Sequence, residues 1–228
     1  MVPWPFTPDL RRRWLLRKAR PGPLRDYLSV PCAAPRLDYR RATYLAVDLE
    51  TTGLDPKRDD ILSVGYVILR GSSIDLGSAR HRLVHTARAI PEASAVIHQI
   101  TDDQAARGEP LEAVLADFLA DLAGKVMIAH HARVEQGFLG TACKRLYGCG
   151  LVVPIIDTQA IARRSFERRH QAYKGSDLRL HNLGERYNLP RNKAHNALSD
   201  ALAAAELFLA QAAHADGGKG APLRDFLQ

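Results

Sequence analysis

The sequence lacks long apolar runs and has few cysteines. No apolar stretch approaches the ~18 residues that a transmembrane helix needs, and the N-terminus lacks the apolar core of a secretory signal peptide. The three cysteines, Cys32, Cys143 and Cys149, form neither a zinc-binding pattern nor an even disulfide framework. These absences argue against a membrane-spanning or disulfide-stapled protein, and they predict a soluble protein of the reducing cytoplasm.

Positive charge is concentrated near the start of the chain. The 228 residues include 32 Lys and Arg against 25 Asp and Glu, a formal net charge of +7. Residues 1–43 alone hold 10 basic and 3 acidic residues, so the remainder is balanced. This segment also carries Pro and large apolar residues such as Trp4, Phe6 and Trp14. We expect an N-terminal extension that packs on the main domain and offers a surface to a protein partner, with nucleic acid as the alternative occupant.

A second basic stretch lies between Arg163 and Arg179. It holds six Arg and Lys residues against Glu167 and Asp177. Phosphate oxygens of a nucleic-acid strand would suit such a segment. A solvated helix end followed by a loop fits it equally well.

Hydrophobic patterns predict an α/β fold. Apolar, β-rich runs predict three consecutive antiparallel strands and two short buried strands, at 43–49, 61–70, 79–85, 126–129 and 152–156. Helical spacing predicts helices at 111–122, 134–146, 180–187 and 197–213. Asp157 and Thr101 fit the N-cap positions of two further helices. Three strands followed by alternating helices and strands indicate a mixed sheet flanked by helices.

The end of the first predicted strand carries an acidic motif. The apolar run 44–47 leads into Asp48-Leu49-Glu50-Thr51-Thr52-Gly53. Strand side chains alternate, so Asp48 and Glu50 would share one face about 7 Å apart. Two carboxylates held on a rigid strand suit hard divalent cations, which prefer oxygen ligands. The alternative is a strand that runs out into a solvated turn.

Two later clusters accompany this acid pair. In the first, the residues 128–135 end in Glu135 at the start of a predicted helix; in the second, Asp200 follows His195 by five residues. In this order the three motifs resemble the DEDDh branch of 3′→5′ exonucleases, whose members include the proofreading subunit of bacterial DNA polymerase. The resemblance covers residues 44–213, which we take as the exonuclease domain. Residues 214–228 would form a C-terminal tail.

The resemblance implies an RNase H-like fold and phosphodiester hydrolysis that depends on two divalent cations, Mg²⁺ or Mn²⁺. It places the metal ligands on Asp48, Glu50, Glu135 and Asp200. It also makes His195 the general base, which would take a proton from the attacking water. The alternative for His195 is a surface residue that caps the helix after it.

Three further residues match positions that contact substrate in the resembled family. The resemblance implies that Thr51 touches the 3′-terminal sugar, that Leu54 wedges against its base and that His98 approaches the terminal nucleotide. The segment after His98 also fits a helix start, with Thr101 as the N-cap. Both interpretations of this segment can hold together.

The second motif departs from the family pattern at three positions. His131 stands where the family usually has Asn, Val134 stands where it has an aromatic residue, and Glu135 replaces Asp. Glu keeps the charge and the oxygen ligands, but it adds one methylene of reach. We expect Glu135 to hold the same metal, with the departure affecting rate and metal preference more than the type of reaction.

These expectations combine into one function with two alternatives. We expect a metal-dependent 3′→5′ exonuclease that releases nucleoside 5′-monophosphates from single-stranded or frayed DNA. An exoribonuclease acting on short RNA or RNA 3′ ends is the alternative within enzymes, because the choice depends on how the site meets the 2′-OH. From another class, the chain would be a weakly active module that binds nucleic acid or a partner.

Overall fold

The structure is a computed structural model, and it describes residues 8–86, 88–98, 100–191 and 195–228. Trp4 and Phe6 of the predicted extension lie outside the described residues. Five strands form one sheet: β1 Thr43–Thr51, β2 Ile61–Arg70, β3 Ser73–Leu83, β4 Val126–Ala129 and β5 Ile155–Asp157. Their order is β3-β2-β1-β4-β5, with β1, β2 and β3 antiparallel and with β4 and β5 parallel to β1.

Helices flank the sheet. They are α1 Pro8–Leu16, α2 Pro23–Ser29, α3 Glu92–His98, α4 Asp102–Ala106, α5 Leu111–Leu122, α6 Arg133–Tyr147, α7 Thr158–Arg168, α8 Leu180–Arg186 and α9 Ala197–Asp216. Thr101 and Asp157 are the N-cap residues of α4 and α7, and their side chains accept hydrogen bonds from backbone N–H groups there, as the sequence predicts. The expected α/β class, a mixed sheet flanked by helices, is confirmed.

Two strands start at residues other than those predicted from the sequence. β3 begins at Ser73, six residues earlier than expected, because it is an edge strand whose exposed, polar first half carries no apolar run. β5 begins at Ile155 and not at residue 152. Pro154 has no N–H to donate, although its carbonyl accepts a hydrogen bond from the Met127 N–H at 2.9 Å.

The two faces of β1 pack on different layers. Leu45 and Val47 belong to the core shared with α5 and α6, whereas Tyr44 belongs to the core shared with α9. Because side chains alternate along a strand, Asp48 and Glu50 continue the Tyr44 face. The acid pair therefore lies on the α9 side of the sheet, where β1 ends.

The segment before β1 is packed on the domain. Leu24, Tyr27 and Leu28 of α2 are buried in the core that α5 helps to form. The Tyr27 hydroxyl donates a hydrogen bond to the Val152 carbonyl at 2.8 Å. Residues of the predicted extension therefore share a core with the predicted exonuclease domain.

The last residues of the chain pack on the same molecule. Leu223 and Phe226 are buried in the core on the α9 side of the sheet. The Leu223 N–H donates to the Leu37 carbonyl at 2.8 Å, which joins the C-terminal segment to the segment before β1. Within the described residues, no helix combines the length and the apolar character needed to cross a membrane.

Candidate active site

Three carboxylates converge at the end of β1. Asp48 and Glu50 come from β1, and Asp200 comes from the first turn of α9. One ligand oxygen from each lies within 4.8 Å of the others. Residues far apart in the sequence thus form one oxygen-rich cluster, as the motifs predict.

Gly65 of β2 determines how closely α9 approaches the sheet. It is the cross-strand partner of Asp48, and a Cβ built on it would fall less than 3.0 Å from the backbone at Ala197 and Leu198. Only glycine therefore leaves room for the start of α9 at this point. This close approach brings Asp200 beside the β1 carboxylates.

Glu135 approaches the cluster from α6. Its side chain is 3% exposed, and its negative charge raises the pKa of Asp48, so the two carboxylates are neighbours. Glu135 is not a member of the set whose oxygens lie within 4.8 Å of one another. The structure therefore places Glu135 close to Asp48 but outside the set of three acids whose oxygens lie within 4.8 Å of one another.

Asp157 holds the start of α6 in place. Its carboxylate accepts hydrogen bonds from the N–H groups of His131 and Ala132, both at 3.2 Å, as well as capping α7. His131 has a φ of +66°, in the left-handed region that L-residues rarely adopt. Asn tolerates this conformation better than most residues do, which gives a physical reason for the Asn usual in the resembled family.

Burial and mutual repulsion make the ionised cluster unfavourable without cations. Burial raises the pKa of Asp48 well above its usual range, and the charges of Glu135, Glu50 and Asp200 raise it further. Burial also raises the pKa of Glu135 to about 8. The pKa of Asp200 is raised by burial and by Glu50, against the lowering effect of its bond from the His195 N–H.

The donor set fits divalent cations. Within the described part of the chain, Oε1 of Glu50 and Oε2 of Glu135 are buried without a hydrogen-bond partner. Buried carboxylate oxygens are costly unless they are paired or coordinate a metal. Carboxylate oxygens such as these suit Mg²⁺ or Mn²⁺.

Two histidines border the cluster. The backbone N–H of His195 donates to Asp200 at 2.8 Å, and His98 contacts Oε2 of Glu50 through Nδ1. The two imidazole rings lie with their centroids 6.4 Å apart. The cap of α9 is Asn196, whose side chain accepts a hydrogen bond from the Ser199 N–H, so His195 is not the capping residue.

The turn after β1 presents Leu54 to solvent. Leu54 is 83% exposed, and the turn beneath it is tightly braced. The Thr51 hydroxyl donates to the Gly53 carbonyl at 2.6 Å, and a Cβ on Gly53 would fall less than 3.0 Å from the Asp59 carboxylate. The Asp59 carboxylate also accepts a hydrogen bond from the Asp55 N–H at 2.8 Å. Thr51 directly follows Glu50 in β1, and Leu54 lies in the turn that leaves this strand.

Sequence reasoning missed three residues at this site. Gly65 gave no signal, because an isolated glycine in a strand does not reveal what approaches it. Ser63 is the cross-strand partner of Glu50, and its fully buried hydroxyl has no hydrogen-bond partner among the described residues. His81 of β3 is the cross-strand partner of Gly65. Burial lowers the pKa of His81, and the negative charge of Glu50 opposes that shift. Only the strand register reveals these neighbours.

A family model and several named relatives match the chain. The RNase_T family model, described as an exonuclease, matches residues 45–208. The chain is 31% identical over 178 residues to DNA polymerase III subunit epsilon of Treponema pallidum, which covers 77% of this chain and 79% of that protein. It is 33% identical over 168 residues to the PolC-type DNA polymerase III of Thermotoga maritima. That match covers 74% of this chain but only 12% of the polymerase.

Solved structures share the fold. The zinc-bound complex of E. coli ExoI with single-stranded DNA superposes with a TM-score of 0.67 at 16% identity, covering 78% of this chain and 42% of that one. Exonuclease X in complex with 5′-overhanging duplex DNA superposes with a TM-score of 0.59 at 22% identity, covering 80% and 98%. At these identities the likeness concerns the fold.

Proposed function

Because the chain belongs to the exonuclease family, we propose that it is a 3′→5′ exonuclease. It would hydrolyse the terminal phosphodiester of single-stranded or frayed DNA and release nucleoside 5′-monophosphates one at a time. The observation that carries this proposal is the convergence of Asp48, Glu50 and Asp200 within 4.8 Å at one end of the sheet. Residues 44–213 would form the catalytic domain.

Asp48, Glu50 and Asp200 would hold two divalent cations, Mg²⁺ or Mn²⁺, together with Glu135. Asp48 is the natural shared ligand, because its pKa is raised by all three of the other acids. When bound, such cations stabilise the charge on the attacking and leaving oxygens of the phosphodiester. Glu135 lies outside the set of three acids, so its contact with the cations would have the less regular coordination geometry. Mg²⁺ tolerates irregular geometry poorly, so Mn²⁺ should support faster hydrolysis.

His195 would act as the general base. Its imidazole is exposed at the mouth of the site, while its backbone N–H is fixed by the Asp200 carboxylate. A histidine changes its charge near neutral pH, so its ring can accept a proton from the attacking water and release it afterwards. His98, which contacts Glu50 and whose ring centroid lies 6.4 Å from that of His195, would face the terminal nucleotide.

The turn after β1 would hold the 3′ end. Leu54 projects into solvent beside the acids, where it would wedge against the terminal base. The Thr51 hydroxyl lies one residue beyond Glu50 and would meet the terminal sugar. Asp59 braces the backbone of this turn by accepting a hydrogen bond from the Asp55 N–H and by packing against Gly53.

DNA is favoured over RNA as the substrate. The matched relatives are named as DNA polymerase III proteins, and the two superposed exonucleases are complexes with DNA. The test is digestion of 5′-labelled DNA and RNA strands of one sequence with Mn²⁺ or Mg²⁺. Shortening of the DNA strand one nucleotide at a time would support the proposal. Preferential digestion of RNA would establish the exoribonuclease alternative, and binding without any digestion would establish the binding module.

A protein partner would bind the N-terminal surface formed by α1 and α2. Leu10, Trp14 and Val30 are exposed large apolar residues there, next to the exposed basic residues of α1. An acidic partner segment with apolar anchors suits this surface. Because α2 is part of the core, the test is a Trp14→Ala and Arg17→Glu double variant rather than deletion of residues 1–43. We expect the variant to lose co-purification of a cellular partner and to keep exonuclease activity, whereas unchanged co-purification would reject the surface.

A further inference from the structure

A cationic, aromatic-walled cavity of about 290 Å³ lies between the ends of α7, α8 and α9, away from the acidic cluster. Its walls include Phe166 and Arg169 from α7, Arg186 and Tyr187 from the end of α8, and His214 from α9. Of the described residues that line it, none carries a carboxylate. The cavity is therefore open to an anionic group that also presents a flat ring.

The charges of the two arginines are not neutralised locally. Arg169 donates to Nε2 of His214 at 2.9 Å, and Arg186 donates to the side-chain oxygen of Gln171 at 2.8 Å, so neither of these bonds is made to a carboxylate. Within the described residues neither arginine forms an ion pair. By contrast, many other arginines do pair with carboxylates, namely Arg12, Arg13, Arg40, Arg70, Arg82, Arg88, Arg191 and Arg224.

Aromatic faces accompany these cations. The Arg186 guanidinium lies 4.6 Å from the centroid of the Phe166 ring, and Tyr173 stacks on the same phenylalanine at 5.2 Å with an interplanar angle of 22°. The Tyr187 ring meets His214 edge to face at 6.0 Å. Guanidinium groups beside aromatic faces are the combination with which proteins bind the phosphates and bases of single strands.

A short segment links the cavity wall to the end of β4, the strand next to β1. Tyr173 lies against the cavity wall, and five residues later the Leu178 carbonyl accepts a hydrogen bond at 3.0 Å from Nε2 of His130. His130 directly follows β4, and burial lowers its pKa to about 4, so it is a neutral anchor. The exposed Lys174 and Arg179 lie on or next to this segment. Two exposed cations therefore lie along the segment that runs from the cavity wall to His130.

We propose that this cavity binds an upstream nucleotide of the single strand whose 3′ end occupies the acidic cluster. Fourteen residues of α9 separate Asp200 from His214, a distance of about 21 Å at the helical rise. At the ~3.4 Å stacked spacing this is about six nucleotides, and fewer in an extended strand. Arg169 and Arg186 would bind a phosphate, and Tyr187 would contact the adjoining base. The direction of the strand in this inference rests on the proposed exonuclease function.

The test compares binding of short and long strands. Fluorescence anisotropy in EDTA would measure the affinity for labelled oligothymidylates about 4 and about 16 nucleotides long, which span common single-strand site sizes. We expect Arg169→Ala and Arg186→Ala each to weaken binding of the longer strand about tenfold and to leave the shorter one unchanged. The slope of log K against log salt should fall by about 0.7 for each phosphate that the variant no longer neutralises.

Arg70→Ala is the control for loss of one positive charge, because this exposed arginine lies at the end of β2 that pairs with Thr43, away from the partners of Asp48 and Glu50. If this control loses as much affinity as the cavity variants do, the effect comes from net charge alone and the proposal is overturned. Unchanged binding of the longer strand by a folded Arg169→Ala protein would also overturn it, even if Arg186→Ala failed to fold. Hydrolysis of the shorter strand by the wild-type protein with Mn²⁺ tests the exonuclease function separately, since it does not need the cavity.

Discussion

Gly65 lies so close to the backbone of Ala197 that any side chain at this position of β2 would collide with the start of α9. The consequence reaches the acidic cluster, because Asp200 lies in the first turn of that helix and Asp48 is the cross-strand partner of Gly65. A residue with no functional group of its own thus sets the separation of two carboxylates.

We expect Gly65→Ala to impair metal binding while the protein stays folded. The added methyl group would push the start of α9 away from the sheet and would separate Asp200 from Asp48. Calorimetric titration with Mn²⁺ should show at least about tenfold weaker binding, since displaced ligands commonly cost that much. Gly77→Ala in β3, where a Cβ would meet only the Asp75 side chain at 3.4 Å, is the control. Equal Mn²⁺ affinity in the two variants would refute this role for Gly65.

Glu135 should make the metal-free protein less stable as the pH rises. Burial raises its pKa to about 8, whereas an unfolded-state carboxyl titrates at about 4.3. Between these values the folded chain retains a proton that the unfolded chain has released, so the free energy of unfolding falls with increasing pH. Glu135→Gln removes this penalty. At pH about 9 in EDTA, its Tm should exceed that of the wild type by at least about 2–4 °C, the effect of about 1 kcal/mol at this size.

Two comparisons make the Glu135 experiment decisive. Glu112→Gln, at an exposed glutamate of α5, should leave the Tm and its pH dependence unchanged. Addition of Mn²⁺ should raise the Tm of the wild type more than that of Glu135→Gln, because the variant has lost a ligand charge. If the variant gains as much stability from Mn²⁺ as the wild type does, Glu135 is not a ligand.

His195→Ala should lower turnover by about 10²–10⁴-fold, the usual contribution of a general base. Mn²⁺ affinity should be largely kept, and the pH dependence of kcat near neutrality should disappear. His170→Ala is the matched control, because both histidines are exposed and both have positive φ, +62° and +49°. If both variants retain wild-type turnover, His195 has no part in proton transfer.

His131→Asn should stabilise the protein without changing its turnover. His131 adopts a φ of +66°, which Asn tolerates better, and its backbone N–H would still donate to Asp157. Urea unfolding should show a gain of up to about 1 kcal/mol, a fraction of the ~1–2 kcal/mol cost of the left-handed conformation. His131→Ala should give no gain. A destabilised Asn variant would mean that the imidazole makes contacts that outweigh the strain.

Local pattern predicted much of this fold and part of the site. Period-two alternation put Asp48 and Glu50 on one face of β1, and the capping preferences of Thr101 and Asp157 located two helix starts correctly. The order of the motifs identified the exonuclease family, which the family model confirms. The alternation and the capping preferences are each contained within a few residues of the chain.

Features set by distant contacts escaped prediction. The closeness of Gly65 to α9, and of His81 to Glu50, depends on strand register and helix packing that no single segment encodes. Residues 214–228 were expected to form a tail, because the apolar side chains of Leu223 and Phe226 are too few to show a period. Their burial depends on packing with residues far away in the sequence, such as Tyr39 and Tyr44.

The central claim is that the carboxylate cluster hydrolyses a strand from its 3′ end. The most direct measurement uses single-stranded DNA radiolabelled at its 3′-terminal nucleotide, incubated with Mn²⁺ and with wild-type or Asp48→Ala protein. The account predicts immediate release of the label as a nucleoside 5′-monophosphate by the wild type and none by the variant, since Asp48 is the acid next to all the others. Release of the label in longer fragments, or equal release by Asp48→Ala, would contradict it.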